Sequence, residues 1–357
     1  MEVLIMKLGR FKIFPLVILT IISLTSCVNT HKKIQNKRTY GSDYYNYWKK
    51  KYVVSVNSSM SKVVNPENNK ITVSEGMGYG LLFSAAYDDK NQFDKLWNYT
   101  KHYLDNNGLM NWKINSNGNI SGYGSASDAD EDIAYALLLA AEKWPNASYN
   151  KEAVKMINAI KSTEISKDYI LLPGDSWGNN PPFNPSYVSP YYYYKFAALS
   201  SSEKNYWEKV LNVNVNLLNQ NIDKETGLLP DWINKDGTIK AENNKFGYDA
   251  VRVPLRLIEF YNETHNSTAK DILERENDFL SKIGSNKLVS GYSTDGKPLA
   301  NYINSVYLSS FSAASLINKD SNFSKEMITK LKNSKDESYY GCSLKMWVFL
   351  ILDNKLN

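Results

Sequence analysis

Twelve stretches of helical periodicity, joined alternately by short and long links, constrain the fold of this chain more than any other feature. Apolar side chains recur every three or four residues in each stretch, as they do on one face of an α-helix. Short links at 87–92, 144–150, 199–203, 262–267 and 317–323 join ten of them in five pairs. Twelve helices make six hairpins, which predict an all-α fold closed into two concentric rings. The predicted helices are 43–55, 75–87, 92–105, 128–144, 150–162, 187–199, 203–220, 248–262, 267–282, 302–317, 323–333 and 342–353.

Longer loops separate the hairpins, and we expect them to gather at one end of the ring. Loops held by a rigid scaffold commonly carry the functional residues of a protein. These loops contain several side chains suited to binding or catalysis, so a site is expected at that end. The loops span 56–74, 106–127, 163–186, 221–247 and 283–301, and the side chains are Trp112, Tyr123, Asp175, Trp177 and Trp232.

The composition restricts the class of ligand. Hydrophobic residues make up 43% and charged residues 22% of the 357 residues, which argues against intrinsic disorder. A net charge of +5 spread along the chain does not form the concentrated basic patch that nucleic acid requires, so no nucleic-acid partner is expected. The 26 Tyr, 12 Phe and 8 Trp instead favour a wet surface that binds a planar, partly apolar ligand.

The first 26 residues are predicted to be a lipoprotein signal peptide. A basic stretch precedes an apolar run at 13–24, which has the length of a signal sequence and is short for a membrane span. The sequence Leu24-Thr-Ser-Cys27 resembles a bacterial lipobox, which implies cleavage before Cys27 and lipid attachment to its thiol. An ordinary uncleaved anchor is the alternative, and Met6 is an alternative start.

Polar residues 27–42 are predicted to tether a folded domain at 43–357 to the outer, extracellular face of the bacterial cell membrane. Only Cys342 remains besides the lipid-bearing Cys27, so no intrachain disulfide is expected. The three histidines are far apart in sequence and lack cysteine partners, so we expect neither a metal nor another cofactor. A monomer is expected.

Three acidic residues, Glu75, Asp128 and Asp249, lie at the starts of predicted helices at the loop-bearing end. Such acids commonly cap a helix or interact with its dipole, and Ser127 or Asp128 would be an ordinary N-cap. Glu75 is followed by glycines at 76, 78 and 80, each of which costs a helix about 1 kcal/mol relative to Ala. These glycines indicate that some group approaches the backbone closely. Two carboxyl groups flanking a bond, one protonated and one ionised, are the groups that hydrolyse glycosides.

Three stretches in order resemble the signatures of glycoside hydrolase family 8. They are Thr72-Val-Ser-Glu75-Gly-Met-Gly-Tyr-Gly80, Ala126-Ser-Asp128-Ala-Asp130-Glu-Asp-Ile-Ala134 and Tyr248-Asp249-Ala-Val-Arg252-Val-Pro254. Asp175-Ser-Trp177 and Asn184-Pro-Ser-Tyr187 add to the resemblance, which covers about 43–353. The family has an (α/α)6 barrel, in agreement with the six hairpins.

The resemblance implies a role for each acid. Glu75 matches the general acid, and Asp249 matches the general base that activates water on the opposite face and inverts the anomeric centre. Asp128 matches an aspartate that holds the distorted sugar, and its charge would raise the pKa of Glu75 against the effect of the helix N-terminus. Inversion requires the two carboxyl groups to lie roughly 6.5–9.5 Å apart. Five residues match the substrate-binding cleft of the family: Trp112, Trp177, Tyr187, Tyr248 and Arg252. Of these, Arg252 is expected to orient Asp249 or to bind a sugar hydroxyl.

The activity so implied is that of an inverting, cellulase-type endo-β-1,4-glucanase acting on a β-1,4-linked polysaccharide. A family 8 xylanase, chitosanase or lichenase is the alternative within the class, as is an enzyme that trims the cell's own exopolysaccharide. Outside the enzymes, the alternative is a glycan-binding lipoprotein, against which the retention of all three acids counts. The tyrosines at 191–194 and Trp347 are expected to pack in the core.

Overall fold

The computed structural model describes residues 39–145, 148–178, 181–234, 238 and 244–356. Twelve α-helices lie in these ranges. They are α1 (Tyr40–Tyr52), α2 (Ser74–Ala86), α3 (Lys90–His102), α4 (Ser127–Lys143), α5 (Tyr149–Thr163), α6 (Pro190–Ala197), α7 (Ser201–Asn221), α8 (Val253–Thr264), α9 (Ser267–Ile283), α10 (Ser305–Ser315), α11 (Asn322–Asn333) and α12 (Tyr339–Leu352).

The helices form two layers that differ in burial. All eleven residues of α10 are buried, whereas its hairpin partner α11 buries three of twelve. The same contrast holds between α2 and α3 and between α4 and α5. A helix that is apolar on all sides belongs inside a protein, and an amphipathic helix covers it from outside. The even-numbered helices therefore form an inner ring, and the odd-numbered helices an outer one.

The ring closes through the two ends of the described chain. Helix α12 packs against α10 on one side and α2 on the other, and α1 covers α12 from outside. The sixth hairpin thus pairs the first helix with the last. The predicted double ring of six hairpins is confirmed, and the core lies between its layers.

Polar side chains fix several helix starts. Thr39 accepts the Ser42 N–H at 3.1 Å and forms a capping box, so α1 begins at Tyr40, inside the predicted tether. Asp89 accepts the Gln92 N–H at 3.2 Å and begins α3. Such acceptors satisfy N–H groups that have no partner within the helix.

Three small antiparallel sheets lie in the segments predicted as loops, except that the first strand takes up the last three residues of the predicted helix 43–55. Strands β1 (Val53–Ser55) and β2 (Ser61–Val63) pair, as do β6 (Lys245–Phe246) and β7 (Tyr292–Ser293). Strands β3 (Thr72–Val73), β4 (Lys113–Ile114) and β5 (Ile120–Gly122) form the third sheet. The sheet of β3 matters for the site because β3 leads directly into α2.

Two predicted helices are interrupted. The segment predicted as 187–199 is a 3-10 turn at Pro185–Tyr187 followed by α6 from Pro190. The segment predicted as 248–262 begins with a 3-10 turn at Ala250–Arg252, before α8 starts at Val253. Proline lacks an N–H and is favoured in the first turn of a helix, so Pro190 and Pro254 mark new helix starts.

The predicted signal peptide at 1–26 and Cys27, the predicted site of lipid attachment, lie outside the described residues. Within the described ranges, no helix combines the length and the apolar character that crossing a membrane would demand.

Candidate active site

Glu75 lies in the first turn of α2, directly after strand β3. The Ser74 N–H donates to the Trp112 carbonyl at 2.9 Å and so ties this turn to β4. The close approach indicated by the glycines is real, but the approaching groups belong to the barrel. A Cβ at Gly76 would lie 2.2 Å from the Tyr339 hydroxyl, and one at Gly78 would lie 2.8 Å from Asp132.

Asp128 lies in the first turn of α4, and the expectation that Ser127 or Asp128 caps this helix is wrong. The N-cap is Ala126, without a capping side chain. The Ser127 hydroxyl donates instead to the Leu172 carbonyl at 2.7 Å, and Asp128 accepts the adjacent Ala129 N–H at 2.9 Å. This bond uses Oδ1 of Asp128 and leaves Oδ2 for a contact with Arg252.

Arg252 brings the three acids together. Its Nη1 pairs with Glu75 Oε2, and its Nη2 lies 3.4 Å from Asp128 Oδ2 and 3.3 Å from Asp249 Oδ1. Its side chain is 4% exposed, so these ion pairs form largely away from water. Asp249 and Arg252 are three residues apart in the sequence and form an i,i+3 ion pair. Glu75 and Asp249 contact different nitrogens of the same guanidinium.

Further polar and aromatic contacts fix the Arg252 side chain. Its Nη2 donates to Ser186 Oγ at 2.7 Å, and its guanidinium carbon lies 5.3 Å from the centre of the Tyr187 ring. Its Nη1 lies 3.4 Å from the hydroxyl of Tyr340, which donates to the Tyr248 carbonyl at 2.9 Å. Because the guanidinium is planar and held on several sides, it sets the orientation of the acids around it.

Asp249 is held through both its backbone and its carboxylate. The Asp231 Oδ1 atom accepts the N–H groups of Gly247, Asp249 and Ala250 at 3.0, 3.1 and 2.9 Å. The Trp232 indole N–H donates to Asp249 Oδ2 at 2.9 Å. The side chain of Asp249 remains 32% exposed, so water can reach the carboxylate while its direction is fixed.

The electrostatics favour a protonated Glu75. Burial raises its pKa to about 7; the nearby Arg252 opposes this, and Asp128 and Asp249 reinforce it. Asp128 does raise the pKa of Glu75, as expected, but burial is the larger cause of the increase. Burial also raises the pKa of Asp128, against the effect of Arg252. Glu75 can thus hold a proton near neutral pH, as a general acid must.

Aromatic rings line the site and connect to the acids. Trp177 stacks on Trp232 with ring centroids 5.6 Å apart, and Trp232 meets Tyr187 edge-on at 5.9 Å. Trp177 and Tyr248 are 47% and 53% exposed, so both present ring surface to a ligand. Tyr248 is fixed by Asn304, whose amide donates to its hydroxyl at 3.0 Å. Rings fixed in this way suit the apolar faces of sugars.

Trp112 forms a further exposed ring on the β3–β4–β5 sheet. A Cβ at Gly122 would lie 2.4 Å from the indole, so the ring covers that glycine. The Trp112 N–H donates to the Gly124 carbonyl at 2.8 Å and its carbonyl accepts from Ser74, the residue before Glu75. Of the five residues predicted for the cleft, Arg252 contacts the acids, Tyr187 packs on its guanidinium and Tyr248 precedes Asp249. Trp177 stacks on Trp232, and Trp112 is hydrogen-bonded to Ser74. That these five residues bind sugar stays a prediction.

Four contributing residues were not assigned to the site from the sequence. In the sequence, Trp232 stands out only as a loop aromatic, and Ser186 lies inside the Asn184–Tyr187 stretch without a role of its own. The only sequence signal for Asp231 is its position beside the aromatic Trp232. Tyr340 had no local signal, since only the closure of the ring brings α12 to the site. In the described part of the chain, no group of three or more His, Cys, Asp or Glu is arranged to hold a metal ion.

Comparison with known proteins agrees with this geometry. The family model for glycosyl hydrolases family 8 matches residues 10–354. The chain belongs to glycoside hydrolase family 8. The resemblance read from the three sequence stretches is thereby confirmed, and the (α/α)6 barrel and a glycosidase activity follow from membership.

Individual relatives extend over most of the chain. Endoglucanase C of Ruminiclostridium cellulolyticum is 32% identical over 338 residues, which cover 91% of this chain and 73% of the relative. The apo β-1,3-1,4-glucanase from Paenibacillus sp. X4 superposes with a TM-score of 0.81 at 26% identity, covering 88% of this chain and 91% of that one. Rex8A from Paenibacillus barcinonensis, complexed with xylose, has a TM-score of 0.78 at 20% identity, with coverages of 88% and 93%, and shows the shared fold.

Proposed function

We propose that this family 8 glycosidase is an inverting endo-β-1,4-glucanase in which Glu75 is the general acid and Asp249 the general base. The observation that carries the proposal is the grouping of Glu75, Asp128 and Asp249 around Arg252, with a pKa of about 7 for Glu75. Relatives named endoglucanase, such as endoglucanase A of Acetivibrio thermocellus at 33% identity, support a β-glucan substrate.

Hydrolysis proceeds by a single displacement. Protonated Glu75 donates its proton to the glycosidic oxygen as the bond from that oxygen to the anomeric carbon breaks. A water molecule attacks the anomeric carbon from the opposite face and loses a proton to the Asp249 carboxylate, which inverts the configuration. Glu75 ends ionised and Asp249 protonated, and proton exchange with solvent restores both.

Arg252 and Trp232 serve this reaction by holding the base. The guanidinium and the indole N–H each bind one oxygen of Asp249, so the carboxylate keeps one direction toward the attacking water. Holding reacting groups in place lowers the entropic part of the barrier. Asp128, buried beside them, is placed to accept a hydroxyl of the sugar at the cleavage point, and the exposed rings of Trp177, Tyr248 and Trp112 stack on neighbouring sugars.

The substrate is tested by measuring released reducing sugar from carboxymethylcellulose, mixed-linkage glucan, xylan and chitosan side by side. We expect the β-1,4-glucans to be cleaved fastest, with a rapid loss of viscosity that marks internal cleavage. Glu75→Gln should abolish release on every substrate while leaving the circular dichroism spectrum unchanged. A folded and fully active Glu75→Gln protein would refute the assignment of Glu75 as the general acid. Faster cleavage of xylan or chitosan would refute β-1,4-glucan as the preferred substrate.

We also propose that the enzyme is exported and anchored to the outer face of the membrane by lipid on Cys27. The lipobox-like Leu24–Cys27 sequence and the apolar run at 13–24 support this. Labelling of growing cells with a radioactive fatty acid should mark the wild-type protein but not Cys27→Ala. Equal labelling of the two, or none of the wild type, would rule it out. An anchored enzyme would act on polymer near the cell, including the cell's own exported polysaccharide.

A further inference from the structure

A groove of about 770 Å³ lies beside the β3–β4–β5 sheet, and its lining contains none of the three acids. Its lining includes two lysines, Lys70 and Lys113, while the other polar groups are amides and hydroxyls from residues such as Asn68, Asn115 and Ser121. No Asp or Glu belongs to the lining among the residues that the structure describes. The described lining therefore carries two positive charges and no negative one, together with neutral hydrogen-bonding groups, and such a surface attracts anions.

The turn that carries Lys70 has an unusual backbone. Asn69 and Lys70 have φ angles of 49° and 55°. These lie in the left-handed region of backbone conformation, which few residues other than glycine adopt. The turn is fixed by Asn65, whose side chain accepts the Glu67 N–H at 3.0 Å. Strain of this kind is retained where the surrounding structure enforces it, and here it fixes Lys70 at the edge of the groove.

Glu67, the acidic residue nearest to Lys70 in the sequence, is already bound to another group. Glu67 accepts the Tyr339 N–H at 2.9 Å, on the side of the turn toward α12. Neither Lys70 nor Lys113 forms an ion pair with a carboxylate in the ranges that the structure covers. Both ammonium groups are therefore free to meet an anion from outside.

Lys113 connects the groove to the sugar-binding rings. Its ammonium lies 5.4 Å from the centre of the exposed Trp112 ring, and its side chain also lines the groove. It pairs across the sheet with Val73, the residue before the helix that carries Glu75. A sugar stacked on Trp112 would thus place its substituents within reach of Lys113.

We propose that this groove, together with Trp112, binds acidic sugars of the glycan, meaning residues that bear a carboxylate or another anionic substituent. The inference rests on the proposed glucanase function and adds to it a preference for a charged polymer. The ring binds the apolar face of the sugar, and the two lysines bind its anionic group. An exposed cation–anion pair contributes up to about 1 kcal/mol, which is about fivefold in affinity.

The test compares kcat/KM on carboxymethylcellulose with kcat/KM on neutral hydroxyethylcellulose. Lys70→Gln and Lys113→Gln should each lower the ratio about twofold to fivefold by reducing activity on the anionic polymer alone. Lys282→Gln, at the end of α9, is the matched control and should leave the ratio unchanged. Raising the salt from about 0.01 M to about 1 M, which shortens the Debye length from about 30 to about 3 Å, should bring the wild-type ratio to that of the variants.

Binding gives a second readout that does not depend on turnover. Calorimetry on the Glu75→Gln protein should show tighter binding of C6-carboxylated cello-oligosaccharides than of neutral ones, and Lys113→Gln in that background should remove the difference. Equal ratios in wild type and both lysine variants, or an equal loss on both polymers, would overturn the proposal. If neither polymer is hydrolysed, the glucanase function fails, while the calorimetry still decides whether the lysines bind an anionic sugar.

Discussion

Replacing Glu75 by Gln should stabilise the protein, but only at neutral and alkaline pH. Burial raises the pKa of Glu75 from 4.5 to about 7, so the folded protein prefers the protonated form. Below the unfolded value of 4.5, the carboxyl is protonated in both states and contributes no pH dependence. As the pH rises toward 7, the carboxyl ionises first in the unfolded chain, and the free energy of the unfolded chain falls relative to that of the folded chain. Stability is lost over this window, and Gln removes the loss because it does not ionise.

The magnitude follows from the two pKa values. At about 1.36 kcal/mol per pKa unit, the difference corresponds to about 3 kcal/mol above pH 7. The side chain of Glu75 is 20% exposed, so solvent screening reduces the effect to about 2 to 3 kcal/mol. An enzyme that keeps a buried general acid therefore bears a stability cost at the pH where this acid is ionised.

The assay is urea unfolding of both proteins, followed by tryptophan fluorescence at about pH 4.5 and about pH 8.5. The free energy of unfolding of Glu75→Gln minus that of wild type should rise by about 2 to 3 kcal/mol between these pH values. Glu274→Gln, an exposed glutamate on α9, should show no such rise. A difference that stays flat with pH would refute the claim that the fold raises the pKa of Glu75.

Three further predictions concern residues that support the site or the core. Trp232→Phe keeps an aromatic ring but removes the N–H bond to Asp249, so kcat should fall about 10- to 100-fold with a smaller change in KM; an unchanged kcat would contradict the positioning role. Asp132→Ala leaves the buried Arg256 guanidinium without its ion pair, and urea unfolding should show a loss of about 3 to 5 kcal/mol. Burial raises the pKa of Glu276 well above its usual value, so Glu276→Gln should increase the melting temperature at neutral pH and not at acid pH.

The helical periodicity predicted the fold because the helices of both rings obey it. An inner helix such as α4 is buried on nearly every side and an outer helix such as α9 on one side, yet apolar residues recur at helical spacing in both. The boundaries were less accurate where a local signal was overlooked. The Thr39 cap moves α1 three residues toward the N-terminus, and the β-branched Val53 and Val54 continue into a strand.

The short strands could not be predicted because they depend on long-range pairing. Strand β3 has two residues, and Thr72 pairs with Ile114, forty-two positions away. No alternating pattern can be recognised in so short a segment. Its consequence for function is large, since this pairing places Trp112 beside the residue that precedes Glu75.

The residues of the site that lie in local sequence motifs could be predicted, and those that lie outside them could not. Glu75, Asp128, Asp249 and Arg252 all came from the three quoted stretches, while Tyr340 is brought in only by closure of the ring. The prediction that the tyrosines at 191–194 are core residues holds for three of them, but Tyr194 is 42% exposed. Consecutive residues on a helix point in different directions, and α6, unlike α10, keeps one side accessible to solvent, where Tyr194 lies.

The central claim is that Glu75 and Asp249 act on opposite faces of the sugar in one displacement. The most direct measurement is the configuration of the first product, observed by proton NMR during hydrolysis of a β-1,4-linked cello-oligosaccharide before mutarotation equilibrates it. The account predicts that the newly formed reducing end appears first as the α-anomer. Initial release of the β-anomer would show retention and contradict the assignment of Asp249 as a base that activates water.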